Sequence, residues 1–267
     1  MQCTLDPTLF PERDGTAMQS LNAKVIAVTG GASGIGRATV IEALSQGANV
    51  LAGDMNGVAL KALADETENL AGRLHTVEMN ATSPEDVTDY VAGGVQEFGR
   101  IDGLLVSAGI TRGAPILEMS HEDWHFVLDV NLSGAFSVMQ AVARQMVAQG
   151  DGGSIVAITS DLAITGQVGG GNYVASKGGL ISLVKTFALE LGRRQIRANT
   201  IAPGATDTPL LQVTAPQEFI DDWVQHAPLG RLGDPRDHAE MASFLLSDAS
   251  AWITGQTFPV NGGSVMP

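Results

Sequence analysis

The sequence predicts one α/β domain, a doubly wound parallel sheet of about seven strands with helices on both faces. Three observations carry that reading. From Lys24 onward, short apolar, β-branched runs alternate with helical stretches of ten or more residues, the pattern of βαβ crossovers. A glycine-rich turn joins the first apolar run directly to the first helical stretch. No internal repeat, low-complexity tract or Pro/Ser-rich linker divides the 267 residues, so residues 21–267 form a single unit behind a tail of residues 1–20.

The elements follow in order. Residues 1–20 carry Pro7, Pro11 and Gly15 without periodicity and read as a tail, with Met18 as an alternative start. Residues 24–29 (KVIAVT) are the first strand, 37–46 the first helix, and Asn49–Asp54 (NVLAGD) the second strand. Further strands are expected at 73–79, 102–107, 153–159, 195–201 and 256–260. Helices are expected near 56–68, 84–98, 121–149, 173–192 and 236–247. Two stretches break the rhythm, 162–172 (LAITGQVGGGN) and 206–231. Both follow carboxyl ends of strands, where open α/β sheets bind ligands. They are expected to wall an active site, the second as a lid carrying Leu210, Phe219 and Trp223.

Composition narrows the function. At 44% apolar and 16% charged residues, the chain can bury a substantial core, which excludes disorder. With 29 acidic against 15 basic residues and a formal charge of −14, it is poorly matched to a phosphate backbone or an anionic membrane. The four lysines are scattered at 24, 61, 177 and 185. The single cysteine, Cys3, excludes an intrachain disulfide framework. No uninterrupted apolar run approaches the ~18 residues of a spanning helix, and the N-terminus lacks a secretory pattern. A cytoplasmic protein is expected. The histidines His75, His121, His125, His226 and His238 have no H-E-x-x-H spacing, and no metal site is expected.

Thr29-Gly30-Gly31-Ala32-Ser33-Gly34-Ile35-Gly36 lies between strand and helix. There, glycines allow a tight turn and close approach of a diphosphate to free helix N–H groups. Asp54 ends the second strand, placed to accept from adenosine ribose hydroxyls and to repel a 2′-phosphate. Position 33 is Ser, and the turn holds no cation. NAD is therefore favoured over NADP.

Tyr173 and Lys177 stand four apart on one helical face, where a cation favours the phenolate and makes proton exchange with an alcohol feasible. Ser160 ends the strand before them. Asn131, inside the long helix 121–149, is a polar group in an apolar setting: a capped kink or a holder of water.

Together these residues resemble the short-chain dehydrogenase/reductase family, over about 24–263. The turn 29–36 matches its T-G-x-x-x-G-x-G pattern, and Asn131, Ser160, Tyr173 and Lys177 match its Asn-Ser-Tyr-Lys tetrad. Pro203-Gly204-Ala205-Thr206-Asp207-Thr208 matches its P-G-x-x-x-T segment. Two positions depart: the family's N-N-A-G reads Val106-Ser107-Ala108-Gly109, and Asn80 stands where an Asp usually contacts adenine.

The resemblance implies a Rossmann-type fold and hydride transfer between nicotinamide and a carbinol or carbonyl carbon. It implies Tyr173 as proton-exchanging group, Lys177 lowering its pKa and holding the nicotinamide ribose, Ser160 positioning the substrate oxygen, and Asn131 holding a water that links Lys177 to solvent. Cofactor contacts are implied for Gly30, Ser33, Gly34, Ile35, Gly36, Asp54, Asn80 (through its side-chain oxygen), Ala81, Ala108, Gly109, Tyr173, Lys177, Pro203, Gly204, Thr206 and Thr208. A homotetramer is implied, with helices 121–149 and 173–192 at its main interface.

For the substrate, walls without lysine and with few other cations (Arg112, Arg231) favour a neutral sugar, polyol, cyclic diol or small secondary alcohol. Thr111-Arg112 and the stretch 166–173 also resemble 3-oxoacyl-carrier-protein reductases. Those imply NADPH, and carrier docking through arginines, one of which would fall at Leu189. A reductase of 3-oxoacyl carrier-protein or CoA thioesters is the alternative. A non-catalytic NAD-binding scaffold is the second.

Overall fold

A computed structural model describes residues 20–266. The expected tail lies outside the described residues except for Ser20, and Leu21 is already fully buried. Seven strands form one all-parallel sheet: β1 (Val25–Thr29), β2 (Asn49–Asp54), β3 (Leu74–Glu78), β4 (Gly103–Val106), β5 (Gly153–Ile158), β6 (Ile196–Pro203) and β7 (Thr257–Val260). Their order is β3-β2-β1-β4-β5-β6-β7, so the chain reverses its winding between β1 and β4. That switch point, at the carboxyl ends, is where a doubly wound sheet opens a crevice.

The central strands β1, β4 and β5 are buried and largely apolar because both faces are covered. All five residues of β1 are buried, as parallel sheets require. Helices α1 (Gly34–Ser45), α2 (Gly57–Thr67) and α10 (Pro235–Leu246) cover one face, packing Val40, Leu44, Leu60 and Leu245 on Ile26 and Val50. Helices α3 (Pro84–Phe98), α5 (Ala135–Gln149) and α7 (Gly171–Leu191) cover the other, with Tyr90, Met139, Met146 and Val184 at its centre. Local signals set the helix ends. Ser83 accepts from Asp86 N–H, Pro84 opens α3, and Gly99 closes it at φ 81°, an angle that favours glycine. Asp234 and Asp237 form a capping box on α10.

Two expectations change. The helix at 121–149 is α4 (His121–Leu128) and α5 joined by a π-helical turn, Asp129–Gly134. By length and composition this stretch is apolar enough to cross a membrane, but its apolar residues Val138, Met139, Val142 and Met146 fill the core. The two irregular stretches contain short helices: α6 (Leu162–Thr165) in the first, and α8 (Pro209–Thr214) and α9 (Gln217–His226) in the second. None of these buries a residue. Arg197, on β6, donates to Leu245 O and Ser247 O at the end of α10, both at 2.9 Å.

Candidate active site

The glycine turn is held by close approach on all sides. Gly30 has φ +68°, and a Cβ there would stand 2.7 Å from Ala108 N. A Cβ on Gly36 would stand 2.1 Å from Gly30 O. Neither position accepts another residue without moving backbone. The Ser33 side chain makes no cap on α1, so the first N–H groups, from Gly34 to Gly36, have no side-chain partner and form an anion cradle. Among the described residues, Thr29 Oγ1 is buried without a partner at the same turn. Asp54 is anchored at the end of β2: its carboxylate accepts from Ala32 N at 3.1 Å and Asn56 N at 3.0 Å. The guanidinium of Arg37, one residue past the turn, pairs with Glu66. These residues fit a dinucleotide diphosphate and an adenosine ribose.

The other expected contact segments converge here. Ala108 meets the turn at Gly30, and Gly109 faces Lys177 and Asn131. Thr208 caps α8 by accepting from Leu211 N at 3.3 Å, and its Cγ2 would lie 3.3 Å from a Cβ on Gly34. Pro203 ends β6 and Gly204 follows it, where a Cβ on Gly204 would crowd Asn261 Cβ at 2.8 Å. Thr206 donates to Gly204 O at 2.9 Å and pairs with His238 Nε2 at 2.8 Å. Ala81 packs under the π-helical turn, its oxygen 3.2 Å from a Cβ on Gly134. Asn80 departs from expectation. Its Oδ1 already accepts from Thr82 N at 3.0 Å and Thr82 Oγ1 at 2.8 Å, so both lone pairs are committed and only its Nδ2 is left for an incoming group.

The structure gathers all four tetrad residues at the carboxyl end of β5 and the start of α7. Lys177 is buried and donates to Ile158 O at 2.9 Å. Its Nζ lies 5.7 Å from the Tyr173 ring centroid. A Cβ on Gly109 would come within 3.2 Å of that Nζ and 3.4 Å of Asn131 Oδ1, which places ammonium and amide against the same turn. Asn131, fully buried, accepts from Ile110 N at 2.8 Å and donates to Ile110 O at 2.9 Å and Ser176 Oγ at 3.1 Å. Its side chain therefore clamps the turn after β4 to α7, and both its nitrogen and its oxygen have protein partners. The kink supplies that reach, because the π-helical turn shifts the register at Asn131. Ser160 is buried beside Tyr173 and accepts from Leu162 N at 3.2 Å.

Electrostatics in the chain alone do not activate Tyr173. Burial pushes its phenol up to about 12, the Ser160 hydroxyl pulls it back, and the Asp161 carboxylate pushes it further up. Burial also lowers the Lys177 ammonium to about 8. Lys177 remains mostly charged at neutral pH, one of the conditions for proton exchange.

Three further residues build the site and carry no signal in its motifs. Asn172, fully buried, donates to Arg112 O at 2.9 Å and Asp123 O at 3.1 Å and accepts from Tyr173 N at 2.8 Å. It thereby ties the loop after β4 to the start of α7. His238 holds Thr206, and burial lowers its imidazole to about 4, so it is neutral at physiological pH. Asp161, next to Ser160, is a buried carboxylate at the end of an apolar strand. That last position was visible in the sequence as a charge where none is needed for packing. The first wall is joined to the loop after β4: Ala114 N donates to Gly169 O at 2.8 Å. Ile116, Leu117, Ile164 and Val168 are exposed on them. On the lid, Phe219 and Trp223 stack at 6.4 Å.

The family model described as enoyl-(acyl carrier protein) reductase matches residues 30–265. The chain is 42% identical to a 3-oxoacyl-(acyl-carrier-protein) reductase of Thermotoga maritima, over 92% of this chain and 99% of the relative. It is 41% identical to a (3R)-3-hydroxyacyl-CoA dehydrogenase of Homo sapiens, over 92% and 97%. A crystal structure of a short-chain type dehydrogenase/reductase from Mycobacterium marinum superposes with a TM-score of 0.90 at 30% identity, covering 94% of this chain and 99% of that one. With its glycine turn, its gathered Asn-Ser-Tyr-Lys group and relatives aligned over nearly their whole length, the chain belongs to the short-chain dehydrogenase/reductase family, oxidoreductases of CH–OH and carbonyl groups that bind a nicotinamide cofactor.

Proposed function

We propose that the chain is an NAD-linked oxidoreductase that interconverts 3-hydroxyacyl and 3-oxoacyl thioesters, with coenzyme A as the preferred carrier. The observation that carries it is the grouping of Tyr173, Ser160 and Lys177 beside two joined segments, the loop after β4 and 162–172, that expose Ile116, Leu117, Ile164 and Val168, apolar side chains suited to an acyl chain. The thioester names of the relatives point the same way. This reading takes the alternative over the neutral polyol expected from the walls' lack of lysine, because a polyol needs polar partners along those walls.

NAD over NADP rests on Asp54. Its charge is fixed by two backbone N–H groups at the end of β2, Ser33 offers no cation, and Arg37 is engaged with Glu66. A 2′-phosphate there meets a carboxylate and no free guanidinium of the turn. Coenzyme A over a carrier protein rests on α7, where Leu189, 85% exposed, stands at the position the family resemblance gives to a docking arginine.

When bound, the nicotinamide supplies the hydride acceptor or donor. In the oxidative direction Tyr173 takes the proton of the 3-hydroxyl as the hydride leaves the same carbon. In the reductive direction it returns that proton to the developing alkoxide. Ser160 hydrogen-bonds the reacting oxygen and orients it toward the phenol. Lys177, charged and held by Ile158 O, stabilises the phenolate, and Asn131 holds the turn against which the ammonium rests. A homotetramer through α4–α5 and α7 is part of the reading, with Phe136, 40% exposed on α5, available to an interface. Light scattering at micromolar concentration tests it, and a monomer contradicts it.

The test of function is nicotinamide absorbance with acetoacetyl-CoA, an acetoacetyl carrier protein and a panel of polyols, each with NADH or NADPH for reduction and the oxidised forms for oxidation. NADH-linked reduction of the CoA thioester, at least about tenfold above the other pairs, a difference of about 1.4 kcal/mol, is expected. Polyol oxidation without thioester reduction overturns the substrate, and NADPH preference overturns the Asp54 argument.

A further inference from the structure

Asp161 is a buried carboxylate that the residues of hydride transfer do not need. It follows Ser160 directly, and its main chain is fixed at the cleft floor, where Asp161 N donates to Pro203 O at 3.0 Å. Its side chain points to the C-terminal turn: Ser264 Oγ donates to Asp161 Oδ2 at 2.9 Å. That turn is itself tightly closed. Asn261 accepts from Gly263 N at 3.0 Å and donates to Val265 O at 2.9 Å, while Ser264 N donates to Asn261 O at 3.1 Å. Gly204 N, in the segment after β6, donates to Val260 O at 3.2 Å. The turn also meets the distal end of the lid, where Leu229 N donates to Gly262 O at 3.2 Å. One carboxylate thus joins the strand that carries Ser160 to a turn in contact with both the Pro203-Gly204 segment and the lid.

We propose that Asp161 is a positioning residue for the reaction, latching the C-terminal turn onto the strand ends that carry Ser160 and Pro203 and holding a buried negative charge within electrostatic reach of Tyr173. From α7 the Lys177 ammonium faces Tyr173. From the loop after β4 and from α4 come Arg112 and Asp123, paired with each other at 3.3 Å. The C-terminal turn facing Asp161 offers Asn261 and Ser264, both neutral. Burial raises the Asp161 carboxyl, with Ser264, Leu162 N–H and Asn261 drawing it back, and its ionised form raises Tyr173. The charge therefore keeps the phenol protonated to higher pH. The effect rests on Tyr173 being the proton-exchanging group.

The chain has two tyrosines, which makes a direct test possible. Tyr90 is fully buried with its hydroxyl on Val28 O and Leu51 O, and burial holds it protonated far beyond the ordinary range. A phenolate absorbance titration of the full chain, checked by circular dichroism at each pH, therefore reads Tyr173, and Tyr173→Phe confirms the assignment. Asp161→Asn keeps the side-chain shape and an acceptor for Ser264 but removes the charge. It is expected to bring the phenolate in about half a pH unit or more earlier, and to move the Tyr173-controlled limb of kcat/KM in the same direction. Ser264→Ala keeps the charge and breaks the latch. It is expected to speed hydrogen exchange across 261–265 at least about threefold and to leave the phenol in place. Coincident titrations of the parent chain and Asp161→Asn overturn the electrostatic role, and unchanged exchange in Ser264→Ala overturns the latch. Neither the phenolate titration nor the hydrogen exchange uses a substrate, so both stand apart from the thioester reading. Full activity of Tyr173→Phe would instead overturn the assignment of the proton-exchanging group.

Discussion

The two sides of the cleft differ in what holds them. On the cofactor side, Gly30 and Gly36 leave no room for a methyl group, and Asp54 is anchored by two backbone N–H groups. On the substrate side, α6, α8 and α9 bury no residue, and Val168 and Val213 stand 100% and 86% exposed. The first is fixed by backbone geometry, where nearly any substitution disturbs the fold. The second is a set of side chains carried on short helices, where substitutions change what is recognised and little else. Chemistry and cofactor are thus built into the scaffold, and specificity is laid over it.

Glycine substitution tests the contrast most strongly. Gly36→Ala forces a Cβ to 2.1 Å from Gly30 O and is expected to cost about 2 kcal/mol or more and to abolish cofactor binding. Gly192→Ala, which meets nothing within 4 Å, is expected to be neutral or slightly stabilising. Denaturant midpoints and calorimetric NADH titration compare the two.

Next in size is the buried ammonium. The folded chain holds Lys177 near 8 against an ordinary value of 10.5. Between those values the unfolded chain binds more protons, so stability rises with pH across that window and is lost as pH falls through about 8. At pH 7 the penalty is fully present. Lys177→Met is expected to raise stability there by up to about 3 kcal/mol, less the lost bond to Ile158 O, and to abolish turnover. Equal stability of the two chains from pH 7 to 10 would show that the ammonium is not desolvated.

Asp54→Ser sharpens the contrast within the cofactor side. Removing one fixed charge is expected to shift the NADH to NADPH preference by about tenfold or more without changing kcat for the preferred thioester. The smallest effect lies on the far wall. Val168→Ser is expected to change stability by less than about 0.5 kcal/mol while raising KM several-fold for long acyl chains and leaving short ones unaffected. A stability loss above that would place Val168 in the fold rather than in the recognition surface.

The same contrast explains what was legible in the sequence. The turn 29–36, Asp54 and the Tyr173–Lys177 pair are read directly, because backbone geometry demands particular residues at particular spacings. Helix α7 and the alternation of strands follow from periodicity. Asn131 was visible as a polar residue in an apolar stretch, but the π-helical turn that aims it depends on Ile110 and Ser176, 21 and 45 residues away. The capture of Asn80 Oδ1 by Thr82 was within reach, since an Asn accepting from the residue two positions on is a local turn. The partnership of Asp161 with Ser264 spans 103 residues, and His238 looks like any helix residue until Thr206 is folded against it. The proposed substrate moves from polyol to thioester for a related reason: the lack of lysine in the walls is legible in the sequence, but the exposure of Ile116, Leu117 and Val168 depends on how the loops fold.

The central claim, that a fixed cofactor turn presents an acyl thioester to Tyr173, is tested most directly by pairing two measurements on Tyr173→Phe: NADH affinity by calorimetry and NADH-linked reduction of acetoacetyl-CoA. The account predicts affinity within about twofold of the parent chain and kcat lower by about 10²–10⁴. Retained turnover, or turnover and NADH affinity lost together, would contradict it.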